Sequence, residues 1–144
     1  MKQDLELQKF YINYVKAHRK LAPSTYAGMT DANIVSYLRK LLSTHEIEKL
    51  YIKEKLIGFC LYYIAKVPYS KEKNFYISDF AIAPRFKRKG WGSDLMKIMT
   101  AMAVENKCKN IILSVHHNNP AREFYNKLDF FEEIHIMRKK LDFS

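Results

Sequence analysis

Seven consecutive residues, Lys87-Arg88-Lys89-Gly90-Trp91-Gly92-Ser93, constrain this chain more than any others. They follow a short apolar run, Phe75 to Pro84, and open a helically spaced series, Leu95, Met99 and Met102. The stretch therefore reads as a basic turn from a strand into a helix. Gly90 and Gly92 let bare backbone N–H groups approach a ligand, and the helix start adds unpaired donors and the positive end of its dipole. Arg85 adds to the positive potential. Two readings stand: an anion cradle suited to a pyrophosphate, or a turn that only lets a helix pack closely on its strand. A nucleotide P-loop is excluded, because no Gly-x-x-x-x-Gly-Lys-Ser/Thr occurs. A dinucleotide fingerprint is a poor match, since the third glycine is missing and the turn lies far from the first strand.

The whole chain sets the bounds. Its 144 residues suit one domain, 1–144, with a real core, and an apolar content of 48% excludes general disorder. The net charge is +10, from 25 Lys and Arg against 15 Asp and Glu. Such a balance fits nucleic acid, a membrane surface or a polyphosphorylated cofactor, and does not choose among them. No run reaches the length of a membrane span, and no apolar leader follows Met1. Cys60 and Cys108 lack CxxC spacing and read as reduced, buried thiols, so a cytoplasmic location is expected.

Periodicity supplies the elements. Leu5, Phe10, Ile12, Val15 and Leu21 predict a first helix ending before Pro23. Thr30 or Asp31 caps a second, with Ile34, Tyr37, Leu38, Leu41 and Leu42 inward. Ile47 to Ile52 and Leu56 to Lys66 form a hairpin around Lys53-Glu54-Lys55, and Phe75 to Ala83 is a central strand. A helix from Trp91 to Asn106 and a strand from Asn110 to Val115 follow. Asn119-Pro120 starts another helix, and Phe130 to Leu141 supplies one or two closing strands, which could pair across a homodimer. The order α-α-β-β-β-α-β-α-β(β) makes an α/β (α+β mixed) fold, a sheet flanked by helices.

A second constellation decides between the two readings of the turn. His116 to Phe131 carries Asn before Pro-Ala at a helix start, Phe-Tyr one turn later and Leu-x-Phe at the helix end. With the Lys-x-x-Gly-x-Gly turn 29 residues upstream of Asn119, the chain resembles the GNAT superfamily of acyl-CoA-dependent N-acyltransferases. The resemblance covers roughly Leu56 to Leu141 and, more loosely, the two N-terminal helices.

It implies a central mixed, mostly antiparallel sheet and acetyl-CoA as acyl donor, with no metal. The pyrophosphate would lie on Lys87, Arg88, Lys89, Gly90, Trp91, Gly92 and Ser93, though Lys87 replaces the usual Arg or Gln and loses its planar fork. Phe80 and Ile82 would offer backbone groups to the pantetheine arm, where two strands splay apart. Asn119, or Asn118 in another register, would cap the helix and contact that arm. Tyr125 matches the tyrosine that protonates the departing thiolate in many members; a phenol, protonated at pH 7, suits the task.

The base is less plain. Tyr76-Ile77-Ser78-Asp79-Phe80 is similar to a Glu-Asp strand of diamine acetyltransferases and bacterial relatives, but Ser78 stands where they carry the Glu. Asp79 remains, either as a site carboxylate or as a structural hydrogen-bond acceptor. His116 and Glu132 are weaker candidates. His116-His117 suggests a metal only superficially, because neighbours at a strand end should point apart. Asp129 replaces the family's Leu-Gly-Phe glycine. Tyr26, Met29 and Tyr69 would face the acceptor, expected to be a primary amine of a small molecule or peptide. No nucleic acid or membrane partner is expected, although a basic nucleic-acid module and a non-catalytic CoA sensor are the alternatives.

Overall fold

The structure, a computed structural model, describes residues 2–23 and 28–142. Its first unit, Met1–Ser114, begins with helices α1 (Lys2–Leu21) and α2 (Asp31–Thr44). Strands β1 (Glu46–Ile52), β2 (Lys55–Lys66) and β3 (Lys73–Ile82) follow, then helix α3 (Trp91–Glu105) and strand β4 (Cys108–Leu113). The sheet order is β1-β2-β3-β4. The first two pairings are antiparallel; β4 joins β3 in parallel, which requires the long α3 connection. This is the mixed, mostly antiparallel sheet with helices that the sequence predicts.

α1 forms where expected, with Val15 buried and Phe10 and Ile12 packed on the core, but its inner stripe also takes in Leu7 and Tyr11. Leu7, Tyr11 and Val15, four residues apart, are buried, while Leu5 is exposed. On α2 the buried residues are Ile34, Leu38 and Leu41; Tyr37 and Leu42 stay largely in water. Thr30 is the cap: its hydroxyl accepts the Asn33 N–H at 3.1 Å, and the Asn33 side chain accepts the Thr30 N–H at 3.3 Å. These two stripes meet Leu56, Phe59 and Leu61 of β2 in one core cluster. Each such side chain contributes about 1.5–3 kcal/mol on burial. Residues alternate across a strand, so Cys60 and Tyr62 face the other side, where α3 packs with Leu95, Met96, Met99 and Ala103 buried.

The hairpin between β1 and β2 is a two-residue turn with positive φ at Lys53 (46°) and Glu54 (68°), the type I′ geometry that matches strand twist. Gly58 answers a different demand. A Cβ there would lie 2.7 Å from Ile82 Cδ1 and 3.0 Å from the Ala81 carbonyl oxygen.

The second unit, Val115–Ser144, holds α4 (Ala121–Lys127). The closing strands expected from Phe130 to Leu141 are not formed: residues 130–142 take no helix or strand. Phe131, Ile134, Ile136 and Met137 are exposed there. Alternating apolar residues favour a strand, but only a paired neighbour makes one.

Replacing Gly58 with Ala should destabilise the fold by about 1–3 kcal/mol, because part of the obstruction is backbone. Thermal unfolding would show a fall of about 2–4 °C per kcal/mol. An unchanged midpoint would mean that β3 yields at Ala81 at no cost.

Candidate active site

β3 runs into the glycine turn through a short 3₁₀ segment, Pro84–Phe86. The chain then needs two left-handed residues within three positions, Arg88 (φ 63°) and Gly90 (φ 87°), before α3 starts at Trp91. Gly90 supplies its conformation without strain, whereas Arg88 costs about 1–2 kcal/mol. The Gly90 carbonyl accepts the Asp94 N–H at 3.0 Å, closing the first turn. The N–H groups of Trp91, Gly92 and Ser93 precede any intrahelical acceptor and so lie at the helix mouth. Arg85, Lys87, Arg88 and Lys89 are exposed around it. Lys55 and Lys89 place their ammonium groups 5.8 and 6.0 Å from the centre of the Phe86 ring. A helix mouth of bare amides among exposed cations fits a pyrophosphate.

Next to this turn the sheet opens. Parallel pairing between β3 and β4 ends at Ile77↔Leu113, yet β3 continues to Ile82. The Ala83 N–H donates to the Ile57 carbonyl at 2.7 Å. By the two-residue period, the backbone groups of Phe80 and Ile82 therefore face the opposite edge, on the β4 side. That is the orientation a pantetheine arm would need.

A bulge shapes the rest. Leu61 pairs with Asp79 but Tyr62 pairs with Ile77, so Ser78 is an extra residue in β3. Its hydroxyl lies 2.9 Å from His45 Nε2, at the junction of α2 and β1. The His45 ring meets Tyr63 edge-on (4.9 Å), and Tyr63 stacks on Tyr76 (4.9 Å). A depression of about 250 Å³ is lined by Tyr63, Tyr76, Ile77, Ser78, Ile112, Leu113 and Ser114. A second, of about 320 Å³, lies among Thr44, Glu46, Tyr62, Tyr63 and Ile64. Sequence reasoning missed His45, Tyr63 and Tyr76. His45 and Ser78 are 33 residues apart, and no local pattern links them.

Asp79 points to α1. Tyr11 donates to its Oδ2 at 3.3 Å. Burial pushes the carboxyl up to about 6, against hydrogen bonds from Tyr14 and Tyr11 that pull it down. It lines neither depression. Burial likewise drives the neighbouring Cys60 thiol far up, with the Asp79 charge adding to the effect, so this thiol stays protonated.

In the second unit, Tyr125 is 9% exposed, with its ring edge-on to Phe130 at 5.6 Å. Asn119 accepts the Ala121 N–H at 2.9 Å through its side chain and the Arg122 N–H at 3.1 Å through its carbonyl, so it caps α4 as expected. Asp129 is left-handed (φ 67°), the conformation a helix-ending glycine would take. The rings of His116 and His117 do not point apart; they stack at 4.4 Å. Among the described residues no three His, Cys, Asp or Glu side chains are grouped to hold a metal. Glu132 is ion-paired with Arg122, which holds its carboxyl below the usual range and makes it a poor base. Of the acceptor-facing residues expected, Met29 packs on the α1/α2 core and Tyr69 stands fully in water. Tyr26 lies outside the described residues.

A family model described as Acetyltransferase (GNAT) family matches residues 15–130. The chain belongs to that family. Solved structures agree on the fold. A mutant BH1408 protein from Bacillus halodurans is similar with a TM-score of 0.82 at 17% identity, over 94% of this chain and 92% of that one. A putative acetyl transferase from Pyrococcus furiosus is similar at 0.69 and 23% identity, over 91% and 94%. Glucosamine-6-phosphate N-acetyltransferase from Arabidopsis thaliana is similar at 0.64 and 19% identity, over 96% and 94%. No helix among the described residues of this GNAT protein is long and apolar enough to cross a membrane.

The Asp79 carboxyl makes a prediction about stability. Its folded value, about 6, lies above the ordinary 3.8. Between these values the folded state keeps a proton that the unfolded state has lost, so stability falls as pH rises from about 4 to 6. Asp79→Asn should remove that component, up to roughly 3 kcal/mol. Urea unfolding of both proteins at pH 4 and pH 7 checks it; identical pH dependences would show that the carboxyl titrates normally.

Proposed function

We propose that this protein transfers an acetyl group from acetyl-CoA to a primary amine of a small molecule or peptide, in one ternary complex and as a single cytoplasmic domain over 1–144. One observation carries the reading: β4 leaves β3 after Ile77↔Leu113, beside a helix start entered through left-handed Gly90. A strand edge for an amide-bearing arm and an amide-lined cationic turn for a pyrophosphate are thus successive pieces of one chain. Acetyl-CoA would supply the activated thioester. Lys87, Arg88 and Lys89 with the amides from Gly90 to Ser93 would hold the phosphates and the Phe80 and Ile82 backbone groups would align the arm, while a contact from Asn119 is assigned from its motif alone. Asp79 turns to Tyr11 of α1 and lines neither depression, so its part is to hold that helix on the sheet beside the site. Tyr125 gives its phenolic proton to the departing thiolate, a role assigned from its motif. Two similar structures are an acetyltransferase of glucosamine-6-phosphate and one of an aminoglycoside, solved with sisomicin, which supports an amine as acceptor.

A thermal-shift titration tests the donor. Acetyl-CoA and CoA at about 100 times Kd should stabilise the fold by roughly 2.7 kcal/mol, ATP much less. Gly90→Asp, which places a carboxylate at the turn, should abolish the shift. No response to either CoA species would sink the proposal. Turnover is then sought with glucosamine, spermidine and a lysine peptide; binding without turnover would favour the sensor alternative. On an amine that reacts, Tyr125→Phe should lower kcat about 10²-fold or more with little change in KM for acetyl-CoA. An unchanged kcat would remove Tyr125 from the mechanism.

A further inference from the structure

We propose that the acceptor amine loses its proton through Ser78 to His45, an inference that rests on the acetyl-transfer reading above. The contacts of the His45 ring suit a relay in that direction. His45 ends α2, its own N–H donating to the Leu41 carbonyl at 2.8 Å, so its backbone is anchored. Its Nδ1 lies 2.8 Å from Thr44 Oγ1 and its Nε2 lies 2.9 Å from Ser78 Oγ. Thr44 has a single hydroxyl proton, and the carbonyls of Leu41 (3.3 Å) and Lys40 (3.4 Å) can only accept it. With that proton given to a helix carbonyl, Thr44 Oγ1 accepts from His45 and the ring proton sits on Nδ1, the tautomer that the relay requires. Nε2 is left bare, and the Ser78 hydroxyl donates to it.

The position of Ser78 makes this more than a surface contact. As the extra residue of the bulge it lines the 250 Å³ depression at the parting of β3 and β4, which Asp79 does not. An ammonium group seated in that depression has Ser78 among its lining groups and donates to its Oγ. Its N–H bond breaks, the proton goes to Oγ, and the original Ser78 proton passes to His45 Nε2. The amine keeps the electron pair, Ser78 is again a hydroxyl, and His45 becomes an imidazolium whose Nδ1–H still rests on Thr44. His45 is partly exposed and can return the proton to water. Tyr63, stacked on Tyr76, holds the ring by its edge.

The first test needs no acceptor. ¹⁵N imidazole NMR of the full chain at pH 7.5 should show His45 neutral with hydrogen on Nδ1, and Ser78→Ala should shift its Nε2 resonance. Hydrogen on Nε2, or a charged ring, would overturn the relay. The second test uses the amine found to react. His45→Gln keeps a polar side chain at the end of α2 but cannot take a proton, and should lower kcat about 10²-fold with KM little changed. Ser78→Ala should do the same, and the double variant should be no worse than either. Full activity in His45→Gln would overturn the proposal. So would acetylation of Ser78 seen by intact mass after exposure to acetyl-CoA, since that would make Ser78 a nucleophile. If no amine reacts, it is the acetyl-transfer reading that fails, while the ring tautomer still decides whether the relay exists.

Discussion

The extra residue in β3 is the constraint from which the site follows. In an unbroken strand Ser78 and Asp79 would face opposite sides of the sheet. With the bulge between Tyr62↔Ile77 and Leu61↔Asp79, both reach the side covered by α1 and α2: Ser78 to His45, Asp79 to Tyr11. The bulge also sits where β4 stops following, since Ile77↔Leu113 is the last parallel pair. A bulge bends its strand and increases local twist, so the same irregularity that doubles the polar residues on one face helps to part the two strands. Just before that point Tyr63 stacks on its rung partner Tyr76, and Tyr62 stacks diagonally on Phe75.

The two residues then have unlike environments. Asp79 sits against α1, ionises reluctantly and binds the helix to the sheet through tyrosine hydroxyls. Ser78 is exposed beside an aromatic wall. Neighbours in sequence thus divide two tasks: one ties α1 to the sheet, the other offers a contact surface. A glutamate at position 78 would have set a second carboxylate beside a first that is already hard to ionise.

The sequence made the turn at Gly90, the cap at Thr30, the hairpin at Lys53-Glu54 and the α4 start at Asn119 legible, because each depends on a few adjacent residues with one dominant preference. It failed where the outcome depends on distant partners. The buried stripe of α1 runs through Tyr11, whose ring packs in the core while its hydroxyl reaches Asp79; a hydropathy count misplaces such a residue. His45 and Ser78 meet only because α2 ends over the bulge. Residues 130–142 have the alternation of a strand, and alternation cannot supply the neighbour that a strand requires.

The charge of the chain acquires a purpose at the glycine turn. Arg85, Lys87, Arg88 and Lys89 lie in five positions, exposed, at the positive end of α3. Like charges so close repel each other, and Arg88 accepts a left-handed backbone as well. Neither feature helps the fold. The Phe86 ring relieves only part of the repulsion, by facing the ammonium groups of Lys55 and Lys89. A compact polyanion seated on the first amides of α3 would relieve the rest, since it would meet both the helix dipole and the cations at once. A polyanion bound at the turn would thus relieve the repulsion, while the left-handed backbone of Arg88 stays as it is.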